Sequence, residues 1–217
     1  MPEERKHSEY GSSLKIKFRI EMTGVKRVKR RFFTRDVLNV APELIGKILV
    51  LKLKNGEIQR FMITETEAYR GTEDEACHAN RGRTARTDVM YRAGGRIYVY
   101  FVYGMYWMLN FVAGEENDPQ AALIRGIEGF DGPGKLTKAL KIDGSYYGED
   151  LVTSNRIWVE DNGFKPSVKR GPRIGISYAG DPWKSRLWRY FIKPLNPHTS
   201  LRSVQASLCS VKALKRS

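Results

Sequence analysis

Tyr98-Val99-Tyr100-Phe101-Val102-Tyr103-Gly104-Met105-Tyr106-Trp107-Met108-Leu109-Asn110-Phe111-Val112-Ala113 is the most apolar stretch of the chain, and its reading decides the fold. It spans 16 residues and carries four tyrosines, a glycine and an asparagine, whereas a membrane-spanning helix needs ~20 mostly apolar residues. It therefore belongs in a core. Aromatic and β-branched residues dominate it, and Tyr103-Gly104-Met105 interrupts them, so it reads as two strands, Tyr98 to Tyr103 and Tyr106 to Val112, joined as a hairpin with its tip at Tyr103-Gly104. Strand period two puts Tyr98 and Tyr100 on one face. Buried tyrosines need partners for their hydroxyls, while a tyrosine at a hairpin tip is exposed by geometry. Tyr98 and Tyr106 read as packed residues and Tyr103 as a contact to a partner.

Working outward, more strands appear on both sides. Thr34 or Asp36 caps a short helix through about Ile45, with Gly46 after it. Lys47 to Leu53 and Ile58 toward Tyr69 are strands joined at Asn55-Gly56, the strongest short hairpin signal. Residues 71 to 95 are polar, with a short helix over Thr87 to Tyr91, and so long a connection is usually functional. Ala121 to Ile127 is a strand, and Gly132-Pro133-Gly134 precedes a helix from Lys135 to about Lys141. Arg156 to Glu160, Arg173 to Ser177 and Leu187 to Ile192 add strands. The class is α+β, a single compact domain with a mostly antiparallel sheet, flanking helices and a protruding β-hairpin. Residues 1–31 read as a basic flexible arm, 32–198 as the domain and 199–217 as a basic C-terminal tail.

The chain has 217 residues, 41% hydrophobic and 29% charged, with a mean hydropathy of −0.47, which excludes a disordered chain and a membrane protein alike. Its 38 Lys and Arg against 24 Asp and Glu give a net charge of +14. Residues 1 to 35 hold 11 basic and 4 acidic side chains, residues 36 to 198 hold 23 and 20, and residues 199 to 217 hold 4 and none. Basic ends on a nearly balanced body point to a polyanion, nucleic acid before a membrane surface. The run Lys26-Arg27-Val28-Lys29-Arg30-Arg31 reads as a nuclear localisation sequence or a DNA-binding arm. Cys77 and Cys209 form neither a CxxC motif nor a disulfide framework, and Met1-Pro2-Glu3-Glu4 opens no secretory signal, so an intracellular protein is expected.

In Glu65-x-Glu67-x-Tyr69 both carboxylates and the tyrosine share one face of a strand, an arrangement suited to acid and base work, although a solvated face is the plain alternative. Glu73-Asp74-Glu75 followed by Cys77-His78 offers metal ligands without the spacing of a zinc site, because the other histidines, His7 and His198, lie near the ends; no metal is expected. Arg81, Arg83 and Arg86, together with Lys165, Lys169, Arg170 and Arg173, are candidate phosphate contacts.

Several of these strings, taken together, resemble the alkyladenine family of DNA-3-methyladenine glycosylases: Glu65-Thr66-Glu67-Ala68-Tyr69, Glu73 to His78, Tyr98 to Tyr106, Asn110, Leu123-Ile124-Arg125 and Gly132-Pro133-Gly134-Lys135-Leu136. The match runs over about residues 33 to 193, with Cys77 where the family has alanine. The resemblance implies base excision repair of duplex DNA. Damaged purines such as 3-methyladenine and hypoxanthine would be flipped out of the helix and their N-glycosidic bond hydrolysed by a monofunctional enzyme without cofactor, acting as a monomer and away from membranes. Glu67 would activate water with Arg125 beside it. Tyr69, His78 and Tyr100 would enclose the base, with Asn110 and Leu123 in the pocket. Tyr103 and Met105 would enter the minor groove, and Arg81, Arg83 and Arg86 would contact DNA. Backbone carbonyls near Ile174-Gly175-Ile176 would complete the water site. Two other readings predict different outcomes: a non-catalytic single-strand binder would stack bases on the tyrosines without turnover, and a metal-dependent nuclease using Glu65, Glu67 and Asp74 would cut strands.

Overall fold

The computed structural model describes residues 24–192. Its strands are β1 (Lys26–Arg27), β2 (Ile48–Lys52), β3 (Ile58–Arg70), β4 (Ile97–Val102), β5 (Tyr106–Ala113), β6 (Gln120–Ile127), β7 (Phe130–Asp131), β8 (Ile157–Asp161), β9 (Lys169–Gly171) and β10 (Arg189–Phe191). The helices are α1 (Arg30–Phe33), α2 (Val37–Leu44) and α3 (Pro133–Ala139). The strands form one antiparallel sheet in the order β1-β8-β2-β3-β6-β5-β4, with β10 beside β3 and β9 beside β10. This is the expected α+β architecture.

Helix α2 shows why the sheet has a dry face. Asp36 caps it, accepting the Leu38 N–H at 2.8 Å, and Val37, Val40, Ala41 and Leu44, spaced on one helical stripe, are all buried. They pack with α3 against alternate sheet residues, among them Ala68, Ala122, Ile124, Leu109 and Phe111. Period two then sends the other set, Glu67, Tyr69, Leu123, Arg125, Asn110 and Tyr98, to the opposite face. With Tyr147 packed beside Tyr98, that face is covered mainly by two irregular segments. One is the long connection from Gly71, with short 3-10 turns at His78–Arg81 and Asp88–Tyr91, and the other runs from Pro172 to Trp188.

Two expectations are corrected. The arm was drawn through residue 31, but Lys26 and Arg27 pair with Asp161 and Glu160, and the Arg27 guanidinium donates to the Leu151 and Ser154 carbonyls. Arg30 binds the Gly94 carbonyl at 2.7 Å and pairs with Asp150. Four buried or half-buried acceptors thus recruit the basic run into the fold, because a buried carbonyl or carboxylate without a partner is costly. Residues 1–23 hold five basic and four acidic side chains, so the N-terminal charge excess sits mainly on residues 24–35, inside the folded part. Residues 173 to 177 form no strand. Gly175 takes a φ of +78°, the Ile174 amide is spent on a side chain, and the edge position goes to β9 instead. Residues 1–23 and the tail at 199–217 lie outside the described residues.

Candidate active site

Four strands put one residue each into a single row across the sheet. Glu67 is opposite Leu123, Leu123 opposite Asn110, and Asn110 opposite Tyr98. At ~4.8 Å between neighbouring strands the row is about 14 Å long. Above it the two covering segments leave a cavity of about 330 Å³, lined by Tyr69, His78, Tyr98, Tyr100, Asn110, Leu123, Arg125, Ile174 and Tyr178 among others. Of the residues singled out in the sequence, Tyr69, His78, Tyr100, Tyr103, Asn110, Leu123 and Arg125 converge there, while Met105, Arg81, Arg83 and Arg86 do not line it.

Glu67 is fully buried and lies just beneath the cavity wall. Its Oε2 accepts the Tyr69 hydroxyl at 2.9 Å, its Oε1 accepts the Ile174 amide at 2.9 Å, and the Arg125 Nε stands 3.5 Å from Oε1. A carboxylate offers about four acceptor sites; the single Arg125 Nε hydrogen goes to Glu65, so the two hydrogen bonds from Tyr69 and Ile174 leave one site on each oxygen, that on Oε2 beside Tyr69. Burial raises the Glu67 pKa above its ordinary value, and Arg125, the Ile174 amide and the Tyr69 hydroxyl oppose the rise. Net charge at the site is balanced by Arg125, which a bulge delivers. The pairing of β3 with β6 shifts between Ile63 and Thr66, so Arg125 falls between the partners of Glu65 and Thr66, and bulges of this kind re-aim side chains beside active sites. Glu65 holds the Arg125 Nε at 3.1 Å and Arg189 at 3.0 Å.

His78 lines the same cavity as Tyr69. Its Nδ1 meets the Tyr98 hydroxyl at 2.8 Å, and its ring packs edge-on to Tyr100 with centroids 4.5 Å apart. Burial, with Arg86 and Arg81 nearby, lowers its pKa to about 4. The imidazole is therefore neutral near pH 7. Asn110 gives both amide hydrogens to backbone carbonyls, Tyr98 at 3.1 Å and Met108 at 3.2 Å, which fixes its orientation in the wall. Leu123 is buried beside it.

Tyr103 is 82% exposed and adopts a φ of +55°, followed by Gly104 at +65°. A bulky residue in the left-handed region is a genuine outlier, and such strain concentrates at functional sites. Met105 is also exposed but lines the far side of the hairpin, away from the cavity. Among the loop arginines, Arg81 and Arg86 are exposed near His78, with Arg86 5.9 Å over the Tyr100 ring. Arg83 is engaged with Asp88 at 2.8 Å.

Arg173 is not a phosphate contact. It is buried against Asp74, 2.5 Å away, with both side chains fully inaccessible, and its guanidinium lies 4.8 Å from the Tyr69 ring centre. Asp74 also accepts the Arg70 and Ala76 amides, so this pair ties the two covering segments together behind Tyr69. Sequence reading missed it because 99 residues separate the partners, and no local signal links them. Tyr178, the Ile174 amide and the hydrogen-bonding role of Tyr98 were missed for the same reason. At Ile174 to Ile176 the contact seen is the Ile174 amide donating to Glu67, and all three residues line the cavity.

Comparison with known proteins places the chain in a family. The family described as Methylpurine-DNA glycosylase (MPG) matches residues 31–131 and 128–195. Proteins named "Putative 3-methyladenine DNA glycosylase" are similar over most of the chain. That of Psychrobacter cryohalolentis is 44% identical over 192 residues, covering 75% of this chain and 90% of its own. That of Rickettsia felis is 45% identical over 170 residues, covering 75% and 91%. That of Borrelia garinii is 42% identical over 177 residues, covering 76% and 95%. With its motif residues gathered round one cavity and a family match over most of its length, the chain belongs to the methylpurine-DNA glycosylase family.

Proposed function

We propose that this DNA glycosylase flips alkylated and deaminated purines, such as 3-methyladenine and hypoxanthine, out of duplex DNA and hydrolyses their N-glycosidic bond with water activated by Glu67. The observation that carries the reading is the buried Glu67 carboxylate with one acceptor site left beside Tyr69, under an aromatic cavity of about 330 Å³. A purine turned into this cavity lies between Tyr69 and the pair His78 and Tyr100. N-alkylation makes the base cationic, and a cation over a ring face gains ~0.5 to 2 kcal/mol. A neutral His78 adds no opposing charge, since burial and the arginines nearby hold its pKa at about 4.

The anomeric carbon is out of reach in a stacked helix, so flipping comes first, at a cost of a few kcal/mol. Tyr103 at the hairpin tip fills the gap from the minor groove. Water bound to the free site of Glu67 Oε2 then loses its proton to the carboxylate as it attacks the sugar, and the Glu67–Arg125 contact compensates charge. Arg81 and Arg86 contact phosphates of the lesion strand. The protein acts on DNA inside the cell, as a monomer; among the described residues no helix is long and apolar enough to cross a membrane.

The test is a duplex with a single hypoxanthine, incubated with the protein in EDTA. Free base and an alkali-labile site are expected. Binding without base release would favour a stacking module, and strand cleavage lost in EDTA would favour a nuclease.

A further inference from the structure

The hairpin that carries Tyr103 has a second face. Period two turns Tyr100 and Val102 toward the base cavity and Phe101 away from it. There Phe101, Met105, Tyr106 and Trp107 form one wall of a groove of about 270 Å³, and Lys138 and Lys141 at the C-terminal end of α3 form the other. Phe101 is 50% exposed and Met105 62%, so apolar surface is left uncovered.

The groove is built from fixed parts. Gly134 of α3 meets the Tyr106 ring so closely that a Cβ there would lie 2.7 Å from it. The Thr137 hydroxyl donates to the Trp107 carbonyl at 2.8 Å, and the Phe101 and Trp107 rings pack with centroids 4.9 Å apart.

Its charge is uncommitted. Lys135 is paired with Asp131 at 2.9 Å, while Lys138 and Lys141 are exposed and have no carboxylate partner among the described residues. Asp143, at the groove's end, accepts the Ser145 amide at 2.9 Å. Lys141 has a φ of +53°, just past the helix end where glycine is the usual residue. A helix C-terminus favours cations, but that does not account for the aromatic wall facing these two.

We propose that this groove receives the undamaged strand of the duplex, with two of its phosphates on Lys138 and Lys141 and a sugar and base edge against Phe101 and Met105. The inference rests on the proposed entry of Tyr103 into the base stack. A wedge entering from the minor groove has the lesion strand on the side to which the base turns and the partner strand on the other. The base cavity marks the first side, which leaves the groove to the second. Phosphates supply the anions that the two lysines lack.

The experiment uses the full chain carrying Lys138→Ala and Lys141→Gly together, glycine being compatible with the left-handed backbone at position 141. Binding is titrated against salt on a duplex with one hypoxanthine and on the lesion strand alone. On the duplex, the slope of log K against log salt should become shallower by about 1.8, ~0.9 for each phosphate no longer neutralised. The lesion strand alone should give the slope of the unsubstituted chain. Equal shallowing on both substrates, or none on either, overturns the proposal. Methylphosphonates in the undamaged strand should reproduce the shallower slope in the unsubstituted chain and add nothing in the variant; additive losses overturn it as well. Base release by the unsubstituted chain, read on the same duplex, separates the two claims. Release with unaltered slopes in the variant overturns the groove alone, whereas no release overturns the function and the groove with it.

Discussion

Asn110 is fixed in the cavity wall by the backbone. Its amide nitrogen is spent on two backbone carbonyls, so the residue cannot rotate out of the cavity wall without leaving those acceptors unpaired. If the proposed function holds, a branched amide fixed in this way would obstruct the exocyclic 2-amino group that distinguishes guanine from adenine and hypoxanthine. Asn110→Ser is expected to raise the single-turnover excision of guanine relative to hypoxanthine by a factor of ten or so, within the ~1 to 3 kcal/mol that such pocket changes supply. A constant ratio with both rates lowered would assign Asn110 to the fold alone. Glu67 predicts a pH profile. A general base works deprotonated, and burial raises its pKa above the ordinary 4.5. Excision of an already cationic lesion should therefore fall as pH drops through a midpoint above that value, on an acid limb that Glu67→Gln abolishes. Protonation of His78 does not account for a limb there, since its pKa is held at about 4. At this scale the sequence was legible wherever spacing carried the chemistry, as in Glu65-x-Glu67-x-Tyr69. It was silent where partners are distant, as for Asp74 with Arg173 and for Glu65 with Arg125 and Arg189.

The hairpin is the element on which strain and function meet. Val102 and Met105 close the turn with a 3.2 Å hydrogen bond, and both central residues have positive φ, the geometry for which Asn-Gly is the preferred pair. Tyr103→Asn should thus stabilise the protein by about 0.5 to 1 kcal/mol while slowing excision from paired duplex. The defect should shrink when the lesion sits in a bulge, where flipping costs less. Urea denaturation and single-turnover rates on the two substrates check this; a less stable variant, or equal defects in both contexts, would contradict it. The hairpin itself was readable because an aromatic, β-branched run broken at Tyr103-Gly104 has few other solutions. The strand expected at Arg173 to Ser177 failed because tertiary demands, the burial of Arg173 and the Ile174 contact to Glu67, overrode local propensity.

For the whole molecule, the distribution of charge matters more than its sum. The basic run at Lys26 to Arg31 looked like an arm because composition does not show which arginines meet buried acceptors. Deleting residues 1–30 should destabilise the protein by about 2 to 4 kcal/mol, because it strips the partners of Leu151, Ser154, Gly94 and Asp150. Deleting residues 1–23 removes nearly balanced charge, so it should shift the salt slope of DNA binding by less than about 1. Thermal melting and salt titration of the two truncations decide the matter; a stable 1–30 deletion would contradict the packing described. The central claim, hydrolysis driven by Glu67, is tested most directly by single-turnover release of hypoxanthine from duplex DNA in EDTA, with the unsubstituted chain beside Glu67→Gln. Release by the former, a rate at least about 100-fold lower in the latter, and lesion binding within a few-fold for both are expected. A variant that still releases base at a comparable rate would contradict the account.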